Sequence, residues 1–251
     1  MSALFASFGT EVRRRLDDLD KEARDGGFDP AIDLMVSALR RGGVIHAFGT
    51  GHSQAFAMEV AGRAGGLIPT HAIVLRDLVL RGSRDVSILQ GGKLERDESV
   101  ADELYGLYVI EPADIFLIAS NSGVNGSVVG LALRAKADGH PVIAVTSLEH
   151  TNAVTPKHSS GQRLSEIADI VIDNRAPFGD ATIDLGGGLS AGAVSSITAA
   201  YIAQFLTLGA AARLRDAGEV PPLYISANIP GGDAHNDALK ARYGERIASL
   251  A

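Results

Sequence analysis

Two short segments of this 251-residue chain have the residue types of an anion site. The first is Gly49-Thr50-Gly51-His52-Ser53 and the second is Ser120-Asn121-Ser122-Gly123-Val124-Asn125-Gly126-Ser127, each directly after an apolar run and before a helical pattern. Glycine lets the backbone come close to a ligand, while Ser and Asn side chains add neutral donors. The free N–H groups and positive dipole end of a following helix favour negative charge at the same place. Ser and Asn at a strand-to-helix turn also serve as N-caps, which is the plainer reading of either loop taken alone.

Proton-transfer chemistry needs a carboxylate or imidazole beside such a site. Glu59 lies on the helix leaving the first loop, and Arg63 one turn further makes an i,i+4 ion pair its alternative use. Glu95 and Glu98, in Lys93-Leu94-Glu95-Arg96-Asp97-Glu98-Ser99, read either as an acidic first helical turn or as candidate catalytic acids and bases. His235 and Asn236 follow Gly231-Gly232 at the start of a last helix, as a cap or as site residues. Lys157, His158, Ser159, Ser160 and Gln162 form a polar loop after a fourth apolar run and are available to line a pocket.

The elements that must position these residues are legible in outline. Phe5, Phe8, Val12, Leu16 and Leu19 recur at helical spacing, and a second helix follows Pro30. Five short apolar runs come next: Val44–Phe48, Ala72–Leu75, Asp114–Ala119, Val142–Thr146 and Asp169–Ile172. Most are uninterrupted, as in strands covered on both faces of a parallel sheet. Helices are expected at Gln54–Ala64, Glu95–Leu107 and Ser127–Ala137, so the pattern is βαβ and predicts an α/β three-layer sandwich with a five-stranded parallel sheet of flavodoxin-like order. In the order 2-1-3-4-5, strands 1 and 3 flank the topological switch point, so both loops would open on one crevice. One domain is expected, with N-terminal helices over 1–42, an α/β core over 43–175 and C-terminal helices over 176–251, the last being Ala234–Leu250. The uncharged stretch Leu185–Ala212 is long enough to span a bilayer, but its Gly, Ser and Thr content points to a buried central helix. Apolar residues on more than one face of Ser190–Ala212 suggest a homodimer surface.

Composition removes several functions. The formal charge of −7 lacks the basic footprint of a nucleic-acid binder. With no cysteine, disulfides, thiolate metal sites, iron–sulfur clusters and cysteine nucleophiles are excluded. The first twenty residues lack a secretory signal pattern, and a cytoplasmic location is expected. Gly49-x-Gly51 fails as a dinucleotide fingerprint, because Gln54 stands at the sixth position and no acid ends the second strand. No cofactor is expected.

On Gly49-Thr50-Gly51-His52-Ser53, Ser120-Asn121-Ser122-Gly123 and Asn125, the chain resembles the sugar isomerase (SIS) domain proteins over about residues 40–250. Thr146-Ser147-Leu148-Glu149-His150, His158-Ser159-Ser160-Gly161 and Ile229-Pro230-Gly231-Gly232-Asp233-Ala234-His235-Asn236 are similar to a stand-alone phosphosugar isomerase-like subgroup, and the N-acetylmuramic acid 6-phosphate etherases are similar too. The resemblance implies that Ser53, Ser120, Asn121, Ser122 and Asn125 hold a sugar phosphate, with Gly51, His52 and Asn236 also in the pocket. It implies catalytic roles for Glu59, for Glu95 or Glu98, and for His235 reaching a neighbouring subunit's site in a homodimer. The zinc-ligand places of some relatives fall on Glu59 and Arg63, and Arg cannot ligate, so no metal is expected. The expected activity is removal of the C2 proton of a hexose 6-phosphate, of N-acetylhexosamine type, followed by loss of the C3 substituent. The alternatives are aldose–ketose isomerisation and a sugar-phosphate sensor without turnover.

Overall fold

The computed structural model describes residues 1–247. Helix α1 (Ser2–Arg24) and helix α2 (Asp29–Arg40) come first. Pro30 sits in the first turn of α2, where its missing N–H costs nothing, and Ile32, Met35, Val36 and Leu39 are buried from one face. The strands follow as β1 (Ile45–Gly49), β2 (Thr70–Ile73), β3 (Ile115–Ala119), β4 (Val142–Thr146) and β5 (Ile170–Asp173). All pair in parallel in the order β2-β1-β3-β4-β5, as the sequence pattern predicts.

Alternate residues of each strand feed two separate cores, which is why the runs are apolar without interruption. Ile45, Ala47, Leu117, Ile143 and Val145 join one core with α2, with α3 (Gln54–Val60), and with a long helix near the C-terminus. Phe48, Phe116, Ile118 and Ala144 join the other, beneath α5 (Val100–Gly106) and α6 (Gly126–Ala137). A short α4 (Asp77–Leu80) follows β2, and α7 (Leu148–Ala153) and α8 (Leu164–Ile167) connect β4 to β5. This is the expected three-layer sandwich.

Several boundaries differ from the sequence reading. The helix expected over 54–64 stops at Val60, where Ala61 turns extended. The helix expected over 95–107 is broken: a 3-10 turn covers Leu94–Arg96, Asp97 is extended and α5 begins only at Val100. Asp97 causes the break by accepting both the backbone N–H and the hydroxyl of Ser99, at 2.9 and 2.7 Å, which competes with helical bonding. The stretch Leu185–Ala212 is not one helix. An antiparallel hairpin, β6 (Ala181–Gly186) and β7 (Leu189–Ala193), takes up its first part, and α9 (Ser195–Asp216) begins after it. Gly186, Gly187 and Gly188 all have positive φ and make the hairpin turn that a continuous helix cannot contain. Among the described residues α9 is the one helix long and apolar enough to cross a membrane, and half of its apolar window is buried inside the fold. Gly209 lets it press on α2, since a Cβ there would stand 2.4 Å from Ile32 Cδ1. The last helix, α10, spans Gly232–Lys240 and is followed by a 3-10 turn, Gly244–Ile247. The remainder of the expected Ala234–Leu250 helix lies outside the described residues.

A fully buried carboxylate, Asp114, fixes the amino ends of the sheet. It accepts the Val44 N–H at 2.8 Å, the Glu111 N–H at 2.9 Å and the His46 Nε2–H at 3.0 Å, and it pairs with Arg246 from the C-terminal segment. Burial alone raises the Asp114 pKa, but the bonds from His46, Glu111 and Val44 outweigh it and hold the carboxyl below its ordinary value. Burial pushes His46 down, so the imidazole is the neutral donor. Asp114→Ala is expected to cost about 3–5 kcal/mol in urea unfolding, the range for orphaning one partner of a buried pair. The wild-type contribution is complete above the unfolded Asp pKa and is lost as pH falls through the depressed folded value. The variant should therefore lose less stability on acidification; parallel acid limbs would disprove the assignment.

Candidate functional site

At the carboxyl end of β1 the chain turns at once. A Cβ on Gly49 would stand 2.3 Å from the Ser53 carbonyl oxygen, so only glycine allows the 3-10 turn Gly51–Ser53 to fold back there. Gly51 itself has φ +55°. Beside it, level with the end of β3, Ser120 Oγ accepts the Gly123 N–H at 3.1 Å and closes the second loop on itself. Gly123 has φ +64°, and a Cβ there would meet Thr151 Oγ1 at 2.9 Å. The loop is braced from the next strands: Asn174 Nδ2 donates to Asn121 Oδ1 at 3.2 Å, and Ser147 N–H donates to the Asn121 carbonyl at 3.3 Å. Asn125 opens the twelve-residue α6 without making a side-chain cap, which leaves the Gly126 and Ser127 N–H groups available, while the Val128 N–H donates to the Asn125 carbonyl at 3.1 Å.

Between the two loops is a cleft of about 330 Å³. It brings together eight of the residues singled out in the sequence: Gly51, His52, Ser53, Ser120, Asn121, Ser122, Asn125 and Glu95. Among the described residues no Lys or Arg lines it, so an anion here would meet neutral donors and a helix end. Glu95 stands over Gly51, with Oε2 3.1 Å from where a Cβ of that glycine would be. Its segment is fixed on α6: Ser127 Oγ donates to the Glu95 carbonyl at 2.7 Å, and a Cβ on Gly126 would stand 2.4 Å from the Arg96 carbonyl oxygen. The Glu95 carboxylate itself takes no hydrogen bond or ion pair from the described residues, so it is open to a ligand.

The other candidates are placed elsewhere within the chain. Glu59 is held by Arg63 and by Gln204 Nε2 at 2.6 Å, so the ion-pair reading describes it. Glu98 accepts the Ser159 N–H at 2.7 Å, a bond that lowers its pKa, and it anchors the 157–162 loop. His235 Nε2 donates to the Leu223 carbonyl at 2.9 Å. Asn236 bonds both the N–H and the carbonyl of Ile225, at 3.1 and 2.9 Å, and is buried in doing so.

The cleft also contains Asp180, Ser195 and Ser196, which the sequence reading did not single out, and His150, which it quoted for the resemblance without a role. His150 Nδ1 accepts the Gly179 N–H at 2.9 Å, so in the neutral ring the proton is on Nε2. Its ring stacks on Phe178 with centroids 5.1 Å apart. Asp180, at φ +68°, accepts the N–H groups of Val194 and Ser195 at 3.1 and 2.7 Å, and the Ser195 hydroxyl at 2.7 Å. It thus caps α9 from the base of the hairpin. A signal existed in the paired Ser195-Ser196, but reading Leu185–Ala212 as one helix put these serines in its interior.

A doubly wound α/β sheet with a loop after each strand flanking its switch point defines a class of α/β domains whose ligand crevice opens there. The chain belongs to the SIS-domain family, whose profile matches residues 7–147. It is 36% identical over 246 residues to a UPF0309 protein of Listeria monocytogenes, covering 97% of this chain and 99% of that one. A UPF0309 protein of Halalkalibacterium halodurans is 33% identical over 244 residues, with the same shares covered. Among solved structures the fold is similar to the c3406 protein of E. coli CFT073, at 16% identity and TM-score 0.53 over 85% of this chain and 90% of that one. It is also similar to a phosphoheptose isomerase from Francisella tularensis, at 16% identity and TM-score 0.50 over 81% and 96%.

Asp180→Ala leaves two first-turn donors of α9 without their partner. The expected cost is about 0.5–2 kcal/mol, the range for a lost helix cap, in chemical denaturation. Unchanged stability would show that water replaces the carboxylate without loss.

Proposed function

We propose that the cleft binds a hexose 6-phosphate and moves its C2 proton. The carrying observation is one open carboxylate, Glu95, set over the turn Gly51–Ser53 and facing the same cleft as Ser120 and Ser122. The phosphoryl group sits against Ser53, Ser120, Ser122, Asn125 and the first turn of α6. The cleft volume is at the small end of ligand pockets and suits a monosaccharide phosphate.

In the open-chain aldehyde, Glu95 takes the C2 proton and the electron pair forms the C1–C2 double bond. The carbonyl oxygen receives a proton from His150 Nε2, the ring position left bearing hydrogen by the Gly179 bond. Glu95 returns the proton to C1 while His150 takes the C2 hydroxyl proton, which gives the ketose. In elimination His150 takes back the O1 proton as the C1 carbonyl re-forms, the double bond shifts to C2–C3, and the C3 substituent leaves with the proton held by Glu95. Elimination is favoured by a second acid for the leaving group, and Glu59 and Glu98 are both engaged outside the cleft, so one carboxylate and one imidazole support isomerisation best. Both fates are read in one assay with hexose and N-acetylhexosamine 6-phosphates. Unchanged mass with new retention indicates isomerisation, loss of water indicates elimination, and binding without any product makes the protein a sensor.

Ser120→Ala with Ser122→Ala is expected to weaken sugar-phosphate binding well beyond tenfold, at roughly 1.5–3 kcal/mol for each charge-assisted bond. Unchanged affinity in the folded double variant would remove the ligand from this loop. Glu95→Gln should keep binding and lose turnover, because shape is preserved and proton acceptance is not. A rate near that of wild type would rule out Glu95 as the base.

We also propose a homodimer. Leu4, Phe5, Phe178, Leu185 and Leu189 are exposed on α1 and around the hairpin, and His235 does not line the loop cleft of its own chain. Mixing His235→Ala with Ser122→Ala protein should restore activity if neighbouring subunits share sites; a monomer in sedimentation would exclude it.

A further inference from the structure

The open edge of the sheet has a second and larger cleft, of about 880 Å³, which the proposed reaction does not use. It runs along β2 between α3 and α10. Although the chain is acidic overall, four cations line this cleft, Arg63, Arg76, Arg81 and Lys240, against two carboxylates, Asp77 and Asp237. Three of the cations have a carboxylate already: Arg63 pairs with Glu59, Arg81 with Asp77 at 2.8 Å and Lys240 with Asp237 at 2.8 Å. Arg76, exposed just past the carboxyl end of β2, forms no ion pair with the described residues. In the wall, His71 is buried with Nδ1 making no hydrogen bond. Its other nitrogen bonds the Arg246 backbone, and burial first of all lowers its pKa to about 4. His71 therefore presents a neutral ring with an unused acceptor.

Exposed ion pairs such as those of Arg63 and Lys240 are weak and can be shared with an incoming anion. Guanidinium groups bind phosphate oxygens in a two-pronged way, and cations outnumber carboxylates along this wall. Met58, Val74 and Tyr224 supply apolar surface for an organic portion. We propose that this cleft binds a phosphorylated small molecule carrying at least two negative charges, at a site separate from the β1–β3 loops. The two sites recognise phosphate differently, one by neutral donors at a helix end and the other by cations. They share α3, which begins directly after the turn Gly51–Ser53 and ends in the wall of this cleft.

The test is calorimetric titration of the full chain with inorganic pyrophosphate. The Ser120→Ala/Ser122→Ala variant is expected to retain binding, and that binding should fall steeply with added salt. Arg76→Glu, at an exposed and unpaired position, is expected to keep the wild-type melting temperature and to weaken the salt-sensitive event about tenfold or more. Lys240→Ala should weaken it by a smaller factor. The proposal is overturned if pyrophosphate does not bind, if all binding vanishes in the loop variant, or if Arg76→Glu binds as wild type does. Each of these readings is independent of turnover, so the reaction proposed for the loop cleft can fail while this site stands.

Discussion

The site depends first on the pairing of β1 with β3. The register Ile45↔Ile115 through Gly49↔Ala119 brings the two strands to their carboxyl ends at the same level. The turn after Gly49 and the loop after Ala119 therefore open side by side. Asp114 secures this from the opposite end, because its carboxylate holds the Val44 N–H immediately before β1 while it starts β3 itself. A one-residue slip would also exchange the two cores, since Phe48 and Ala47 face opposite sides of the sheet. Burial of unlike faces and one buried carboxylate thus set the geometry of loops that they do not touch.

Within the cleft the donors and the acid come from different parts of the chain, and their spacing is set by missing side chains. Gly49 and Gly123 let the loops close on themselves, and Gly126 lets the Glu95 segment lie directly on the start of α6. A carboxylate repels the anion that neighbouring donors attract. Here the carboxylate stands over the first turn, while α6 supplies its N–H groups from the second loop. The reaction proposed above, on a phosphorylated sugar with its charge at one end and its acidic C–H at the other, uses that separation.

The hairpin β6–β7 joins the two halves of this arrangement. Its base is pinned by Asp180 to the start of α9, and Phe8 of α1 packs on Gly192. Glu149 and His150 accept the successive N–H groups of Phe178 and Gly179, so the segment entering the hairpin is tied to the helix after β4. His150 gains a fixed ring orientation from the same bonds. Holding a loop and orienting an imidazole in the cleft are one interaction here.

Local pattern in the sequence was sufficient for the sheet, its order and both hydroxyl-rich loops. Uninterrupted apolar runs, glycines at tight turns and serines before helical segments are properties of neighbouring residues, and neighbours fix them. The same local view could not choose among Glu59, Glu95 and Glu98. All three are acids near a helix, and what separates them is a partner distant in the chain: Gln204 for Glu59, Ser159 for Glu98 and none among the described residues for Glu95. The hairpin was hidden for a related reason: Leu185–Ala212 carries no charge to mark its interruption, and the cap that fixes the start of α9 comes from Asp180, across the hairpin in the chain. His150 and Asp180 entered the cleft in the same way. Local spacing determines which elements form, whereas the use of a polar side chain is decided by which distant group folding brings within hydrogen-bond reach of it.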